Sequence, residues 1–247
     1  MRRCRANLLF DVYVLNRFVK ILKPGIKVQI VYDEIRKIDN SPLKKHLKRR
    51  KHKKIINGRA GREHYKLLTY LGLQLQGKFI VELGTHHGLS CLALSVNPTN
   101  EIRTYDIVAE LKALHHLPSN VTTVIGNIFD LHEEHYLLKA DLIFLDTAHT
   151  GEFEWQVYSY LKNNNYRGII VYDDILWSDE MVAFWQKIDV PKYDITDIGH
   201  GGGKGPRGNI SGTGVVDFSN QIVIKRSPEN SIVAKIEALF RTLVGKG

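Results

Sequence analysis

Downstream of Gly77 the chain alternates short β-branched apolar runs with longer helical stretches, the pattern of β-α-β units around a parallel sheet. Strands are predicted at Phe79–Leu83, Ile102–Asp106, Val121–Ile125, Leu142–Leu145 and Ile169–Tyr172. Helices are predicted between and after them at Ser90–Ser95, Val108–His115, Leu131–Lys139, Phe153–Leu161 and Trp177–Ile188. Tyr193–Ile198 and Gly214–Phe218 read as two more strands, separated by a glycine-rich stretch from Gly199 to Gly214, and Ile232–Leu243 reads as a closing helix. The expected architecture is a doubly wound α/β domain with a mostly parallel seven-stranded sheet. Upstream, Leu8, Val12, Leu15, Val19 and Leu22 recur at spacings of four and three, marking one face of a helix that Pro24-Gly25 would end. That face either docks on the main domain or lies on a membrane surface. A short segment, Lys27 to Ile38, and a basic run follow, so residues 1–76 form an N-terminal helical and basic extension and 77–247 the main domain.

A chain of 247 residues with 43% hydrophobic content can bury a full core. Cys4 and Cys91 are its only cysteines, too few and too far apart for a disulfide framework or a cysteine zinc site, which points to a reducing, cytoplasmic or otherwise intracellular setting. No apolar run approaches the roughly 18 residues of a membrane span. Asp11, Asn16, Arg17 and Lys20 interrupt any signal-peptide pattern at the start. The formal charge of +9 is concentrated: Lys44 to Lys54 holds eight Lys or Arg and no acid, and the remainder is near +1. This run is either a solvated face or a contact for a polyanion, and without interleaved aromatics it offers no stacking platform for bases.

Ligands of an open α/β sheet bind beyond the carboxyl ends of the strands, so residues just after each strand carry the most weight. After the first of these strands comes Glu82-Leu83-Gly84-Thr85-His86-His87-Gly88, a strand-to-helix turn in which Gly84 permits close approach to the backbone. A dinucleotide fingerprint would place its second glycine where His86 stands, which argues against NAD and for a nucleoside ligand without phosphates. Asp106 ends the next strand, 22 residues after Gly84, where a carboxylate accepts from ribose hydroxyls. Asp146, Asp173 and Asp174 fall at the ends of two further strands, and such clustered oxygen donors suit a hard cation such as Mg²⁺. His149, three residues after Asp146, is chemically suited to act as a base near neutral pH, or is simply a surface or metal-adjacent histidine. The stretch His200 to Gly205 is a mobile lid or a plain loop; Lys204 is followed by Gly205, so it is not a P-loop.

Val81-Glu82-Leu83-Gly84 through Gly88, then Asp106, then Gly126-Asn127, resembles the cofactor-binding series of class I S-adenosylmethionine-dependent methyltransferases. Leu142 to His149 and Ile169 to Asp174 resemble the metal-binding segments of the catechol-type O-methyltransferases. The resemblance implies a Rossmann-like fold that binds S-adenosylmethionine through Glu82, Gly84, Thr85, Gly88, Asp106, Asn127 and Asp146. Glu82 and Gly84 would lie near the methionine part, Asp106 at the ribose and Asn127 at the adenine edge, where the family usually carries an acid. It further implies Mg²⁺ or another divalent cation on Asp146, Asp173 and Asp174, the last standing where Asn is typical, and His149 as the base where the family has lysine. The implied activity is metal-assisted methylation of a hydroxyl on a small acceptor, a sugar or a phenol. Two alternatives stand beside it: a nucleic-acid methyltransferase gripping its substrate through the basic run, and a binding protein that has lost turnover. Against the first, Asp146-Thr147-Ala148-His149 replaces the D/N-P-P-Y/F motif of many base methyltransferases; against the second, a degenerate site has no need of acids at three strand ends.

Overall fold

The computed structural model describes residues 26–58, 64–108, 111, 114–199 and 211–226. Its elements in chain order are β1 (Val28–Val31), α1 (Tyr32–Lys37), a 3-10 turn (Ser41–His46), α2 (Arg50–Ile55), α3 (Lys66–Gln74), β2 (Phe79–Leu83), α4 (Leu89–Leu94), β3 (Glu101–Asp106) and β4 (Val121–Ile125). They continue with α5 (His135–Lys139), β5 (Leu142–Leu145), α6 (Glu152–Asn163), β6 (Ile169–Asp173), α7 (Asp179–Lys187), β7 (Lys192–Asp194), a 3-10 turn (Thr196–Gly199), β8 (Thr213–Asp217) and β9 (Ile222–Lys225). No helix among the described residues is long and apolar enough to cross a membrane.

The expected seven-stranded sheet is present, in the order β4-β3-β2-β5-β6-β8-β7. Every pairing from β4 to β6 is parallel, and β8 runs antiparallel to both β6 and β7. The period-2 alternation of side chains sorts the core into two halves. Ile80, Ile102, Leu142, Phe144, Ile169, Val171 and Val215 join one apolar cluster with α3 and α4. Val81, Leu83, Ile143, Leu145, Ile170, Tyr172 and Val216 join the other with α6 and α7. Both faces are thereby covered, which is why β5 and β6 are apolar at nearly every position. From β2 the chain steps outward to β3 and β4, then returns to β5 on the opposite side of β2. That reversal opens a crevice above the carboxyl ends of β2 and β5.

The segment upstream of β2 shares the first apolar cluster through Val28, Ile30, Tyr32, Ile35, Leu47 and Ile56. β1 pairs in parallel with β9, Val28 opposite Ile222, as a separate two-stranded sheet. Asp217 shapes the turn before β9 by accepting from the Ser219 and Ile222 amides at 3.0 and 2.8 Å, and the Ser219 hydroxyl donates to the Ile26 carbonyl at 3.0 Å. The sequence did not announce β1, β9 or α3; α3 is buried continuously from Leu67 to Gly72, more than a full turn, and is exposed only at its end.

Three elements differ from expectation. The described residues of the predicted helix Val108–His115 are not helical: Ile107 and Val108 stay in a bend, 75% and 52% exposed, while Leu114 forms an isolated bridge with Leu47. The helix predicted from Leu131 starts at His135, because His132 takes a left-handed φ of 56° that a helix cannot continue through. The strand predicted at Tyr193–Ile198 stops at Asp194, whose side chain accepts from the Thr196 amide at 2.9 Å and turns the chain into a 3-10 helix. The predicted helices over Leu8–Leu22 and Ile232–Leu243, and residues 200–210 of the glycine-rich stretch, lie outside the described residues.

Helix α3 meets α4 at Gly72, where an added Cβ would lie 2.6 Å from the Leu94 carbonyl oxygen. Gly72→Ala is therefore expected to destabilise the domain by about 1–3 kcal/mol, the range for overpacking. Urea denaturation checks this: an unchanged midpoint would show that α3 is not held against α4 at this distance.

Candidate active site at the carboxyl edge of the sheet

The turns after β2 and β5 touch. Gly84 has φ +99°, and a Cβ there would fall 1.7 Å from the Asp146 carbonyl oxygen, so no other residue fits. The Gly84 amide donates to the Tyr105 carbonyl at 2.8 Å, which ties the same turn to β3. Gly88 (φ +81°) precedes α4, and with Thr85 and the fully buried Glu82 it lies behind the turn, away from the cavity described below. Glu82 accepts from the Thr104 hydroxyl, which sits 2.5 Å from that of Thr85. Burial raises the Glu82 carboxyl to about 7, against the opposing pull of hydrogen bonds from Ser90 and Thr104.

Asp106 is held by two backbone amides, His86 at 2.6 Å and Val108 at 2.9 Å, one on each carboxylate oxygen. The Gly126 amide donates to the Asp106 carbonyl at 2.8 Å, and the Asn127 side chain accepts from Phe129 at 2.9 Å. A cavity of about 790 Å³ runs along this edge, bringing together Gly84, His86, Asp106, Asn127, Asp146 and His149 between apolar walls from Tyr105, Ile107, Ile128 and Phe153. Of the expected cofactor residues, Gly84, Asp106, Asn127 and Asp146 line it.

At the inner end, His149 sits in a left-handed conformation (φ 54°) and Asp174 in another (φ 56°), strained backbone that recurs at functional sites. Nε2 of His149 is 3.3 Å from Asp146 Oδ1 and 3.4 Å from Asp174 Oδ2, while its Nδ1 is buried without a partner. Burial lowers the His149 pKa, but the carboxylates of Asp146 and then Asp174 outweigh it and leave it raised. Asp173 turns the other way. Its Oδ2 lies 3.3 Å from Nδ1 of His64, a buried residue just before α3 that the sequence did not single out. The contact is an ion pair outside good hydrogen-bond alignment, since Nδ1 has no partner in that geometry. Burial pulls His64 down, yet Asp173 more than offsets this and pushes it to about 9, while Asp173 itself is lowered against its own burial. Asp174 is pushed up to about 7 by burial and by the neighbouring Asp173. The three expected metal ligands are thus close but divided, with Asp146 and Asp174 facing one point and Asp173 facing His64. Among the described residues no group of three His, Cys, Asp or Glu is arranged to hold a metal ion. The point that Asp146 and Asp174 share is occupied by Nε2 of His149.

The basic run reaches the Gly84 turn through His52 and the segment after β3 through Leu47 and His46. Leu47 bridges to Leu114, and the His115 amide donates to the His46 carbonyl at 2.8 Å. His52 of α2 is buried, its ring centroid 5.0 Å from that of His87, which stacks at 3.8 Å on the cavity residue His86. Lys45, Lys48, Arg49, Arg50, Lys51 and Lys54 remain exposed.

No family model matches the chain, and no curated protein matches it in sequence. Solved structures resemble it in fold. Cofactor-bound Rv0187 from MTB is 16% identical over 88% of this chain and 99% of that one, with a TM-score of 0.47. The SAH-bound methyltransferase PaMTH1 from Podospora anserina is 14% identical over 88% and 99%, with a TM-score of 0.45. Fibrillarin from Aeropyrum pernix with natively bound S-adenosyl-L-methionine is 15% identical over 62% and 76%, with a TM-score of 0.43.

The raised Glu82 pKa makes a linkage prediction. Because the folded value of about 7 lies above the ordinary 4.5, the stability that Glu82 contributes is present below pH 4.5 and lost as pH rises through 7. Glu82→Gln should therefore melt higher than wild type at and above neutral pH, by roughly 3 kcal/mol at most, with the difference vanishing on acidification. A gap between the two melting curves that does not change with pH would contradict a raised carboxyl.

Proposed function

We propose that this protein is an S-adenosylmethionine-dependent methyltransferase acting on a hydroxyl of a small acceptor. One observation carries the reading: a single cavity at the switch point of the sheet has a nucleoside end, Asp106 with Asn127, and a reactive end, Asp146 with His149. Two backbone amides aim the Asp106 carboxylate and leave it lone pairs for ribose hydroxyls. His86, in place of a glycine, closes the approach that a pyrophosphate would need.

The sulfonium, when bound, supplies an activated methyl group, and the chain's own residues align the acceptor and handle its proton. His149 would take the acceptor's hydroxyl proton as the methyl group is transferred. Asp146 and Asp174 stabilise the resulting imidazolium, the role that a carboxylate plays beside a general base. In an alternative arrangement a divalent cation such as Mg²⁺ would take the place of His149 Nε2 between Asp146 and Asp174 and would lower the pKa of the acceptor hydroxyl. Burial of His149, 14% exposed, keeps bulk water from competing for the methyl group.

Calorimetry tests the reading. Wild-type protein should bind S-adenosylmethionine saturably and NAD not at all. Asp106→Ala should weaken binding about 10- to 100-fold, one or two charge-assisted hydrogen bonds. Equal affinity in the variant, or no binding by a folded wild type, would remove the assignment.

A nucleic-acid acceptor is the second reading, and the packing of the basic run against the turn that carries the cavity residue His86 favours it. It requires single-stranded RNA to bind with an affinity that falls steeply with salt and is lost in a Lys48→Gln, Arg49→Gln, Lys51→Gln variant. Salt-insensitive or absent affinity would leave only the small acceptor.

A further inference from the structure

Side chains along β3 alternate between the two faces of the sheet, so Thr104 turns to Glu82 while Arg103 and Tyr105 share the opposite face. There one terminal nitrogen of the Arg103 guanidinium donates to both Glu133 carboxylate oxygens, at 3.0 and 2.8 Å, and Nε donates to the Tyr105 hydroxyl at 2.7 Å. That hydroxyl donates in turn to Glu133 Oε2 at 2.7 Å. Arg103 also lies over the ring of Tyr136, 4.4 Å from its centroid.

Glu133 closes a segment that folds on itself. Its amide donates to the Ile128 carbonyl at 2.9 Å, and the Leu131 amide donates to the Asn127 carbonyl at 3.0 Å. Leu131 covers Gly126, where a Cβ would lie 2.8 Å from Leu131 Cδ1. Gly126, Asn127 and Ile128 of this segment line the cavity. On the other side of β3, the turn that brings Gly84 and His86 to the cavity is tied to the same tyrosine, because the Gly84 and Thr85 amides donate to the Tyr105 carbonyl at 2.8 and 3.3 Å. Tyr105 therefore joins both flanks of the nucleoside end, one through its backbone and the other through its hydroxyl.

We propose that Arg103, Glu133 and the Tyr105 hydroxyl form a clamp that sets the spacing of these two flanks and preorganises the nucleoside end for an adenosine moiety. This rests on the methyltransferase reading, which puts the nucleoside at Asp106. Arg103 and Glu133 are positioning residues that act through Tyr105 and the Asn127 segment. Without the clamp the segment would have to be ordered each time a ligand binds, and holding it in place beforehand removes that cost. The rigid guanidinium presents one nitrogen to the carboxylate and another to the phenol at once, which the single ammonium of lysine does not.

Calorimetry with S-adenosylmethionine, and with methylthioadenosine, which carries the nucleoside without the amino-acid part, tests the clamp. Arg103→Ala should weaken both ligands by a similar factor, on the order of tenfold, and Tyr105→Phe by about threefold. Arg103→Lys should not rescue the affinity. Tyr105→Phe keeps the ring in the core and removes only the hydroxyl, so it reads the clamp even where Arg103→Ala fails to fold. Ion pairs as exposed as this one add little to global stability, so a role confined to stability would leave both affinities of the folded variants at the wild-type value and overturn the clamp. A loss seen with S-adenosylmethionine and not with methylthioadenosine would place the effect at the amino-acid end and also overturn it. Clamp-dependent binding of methylthioadenosine by a wild type with no affinity for S-adenosylmethionine would keep the clamp and remove the methyltransferase reading; a folded wild type that binds neither ligand overturns both.

Discussion

The structure depends on how it compensates negative charge gathered in a poorly solvated place. Glu82, Asp146, Asp173 and Asp174 converge because parallel strands all end at the same edge, and a low-dielectric interior tolerates such a group only when the charges are offset or protonated. Each acid meets this constraint differently. Asp173 has the imidazole of His64, Asp146 and Asp174 share that of His149, and Glu82 takes hydroxyl hydrogen bonds. What is left uncompensated, concentrated on Asp174, is the charge that a cation or a developing imidazolium would satisfy.

This constraint explains why the segment before the sheet is part of the working domain. His64 comes from residues just ahead of α3, and Tyr65 beside it stacks edge-on against its ring at 4.3 Å between centroids. α3 is locked on α4 at Gly72, and α4 follows the Gly84 turn directly. The same packing that closes one face of the sheet thus delivers the counter-charge for Asp173.

Much of the carboxyl edge was legible in the sequence, for identifiable reasons. β5 and β6 are covered on both faces, so they appear as apolar runs, and the first acids that follow those runs, Asp146 and Asp173, mark the edge. Gly84 was legible because a turn that presses against another backbone accepts only glycine. His64 was not, since its partner Asp173 is remote in sequence and nothing local distinguishes a histidine that will be buried opposite an acid. At the end of the stretch Val108–His115, which carries a helical period, Leu114 bridges Leu47, and there tertiary pairing overrode local preference. α3 escaped notice because six consecutive buried residues, Leu67 to Gly72, leave no polar stripe by which an amphipathic helix is recognised.

The pairing of β1 with β9 has a consequence for how the molecule is made. These strands lie near opposite ends of the described chain, so their register forms only after the whole sheet has been synthesised and its ends brought together. During translation the strands from β2 to β6 emerge in order and pair locally, while β1, though made first, waits for its partner. Until then Val28 and Ile30, both buried in the finished protein, lack their strand partners Ile222 and Ile224. Among the described residues β9 is the last strand to be made, so β1 is the strand that stays longest without its partner.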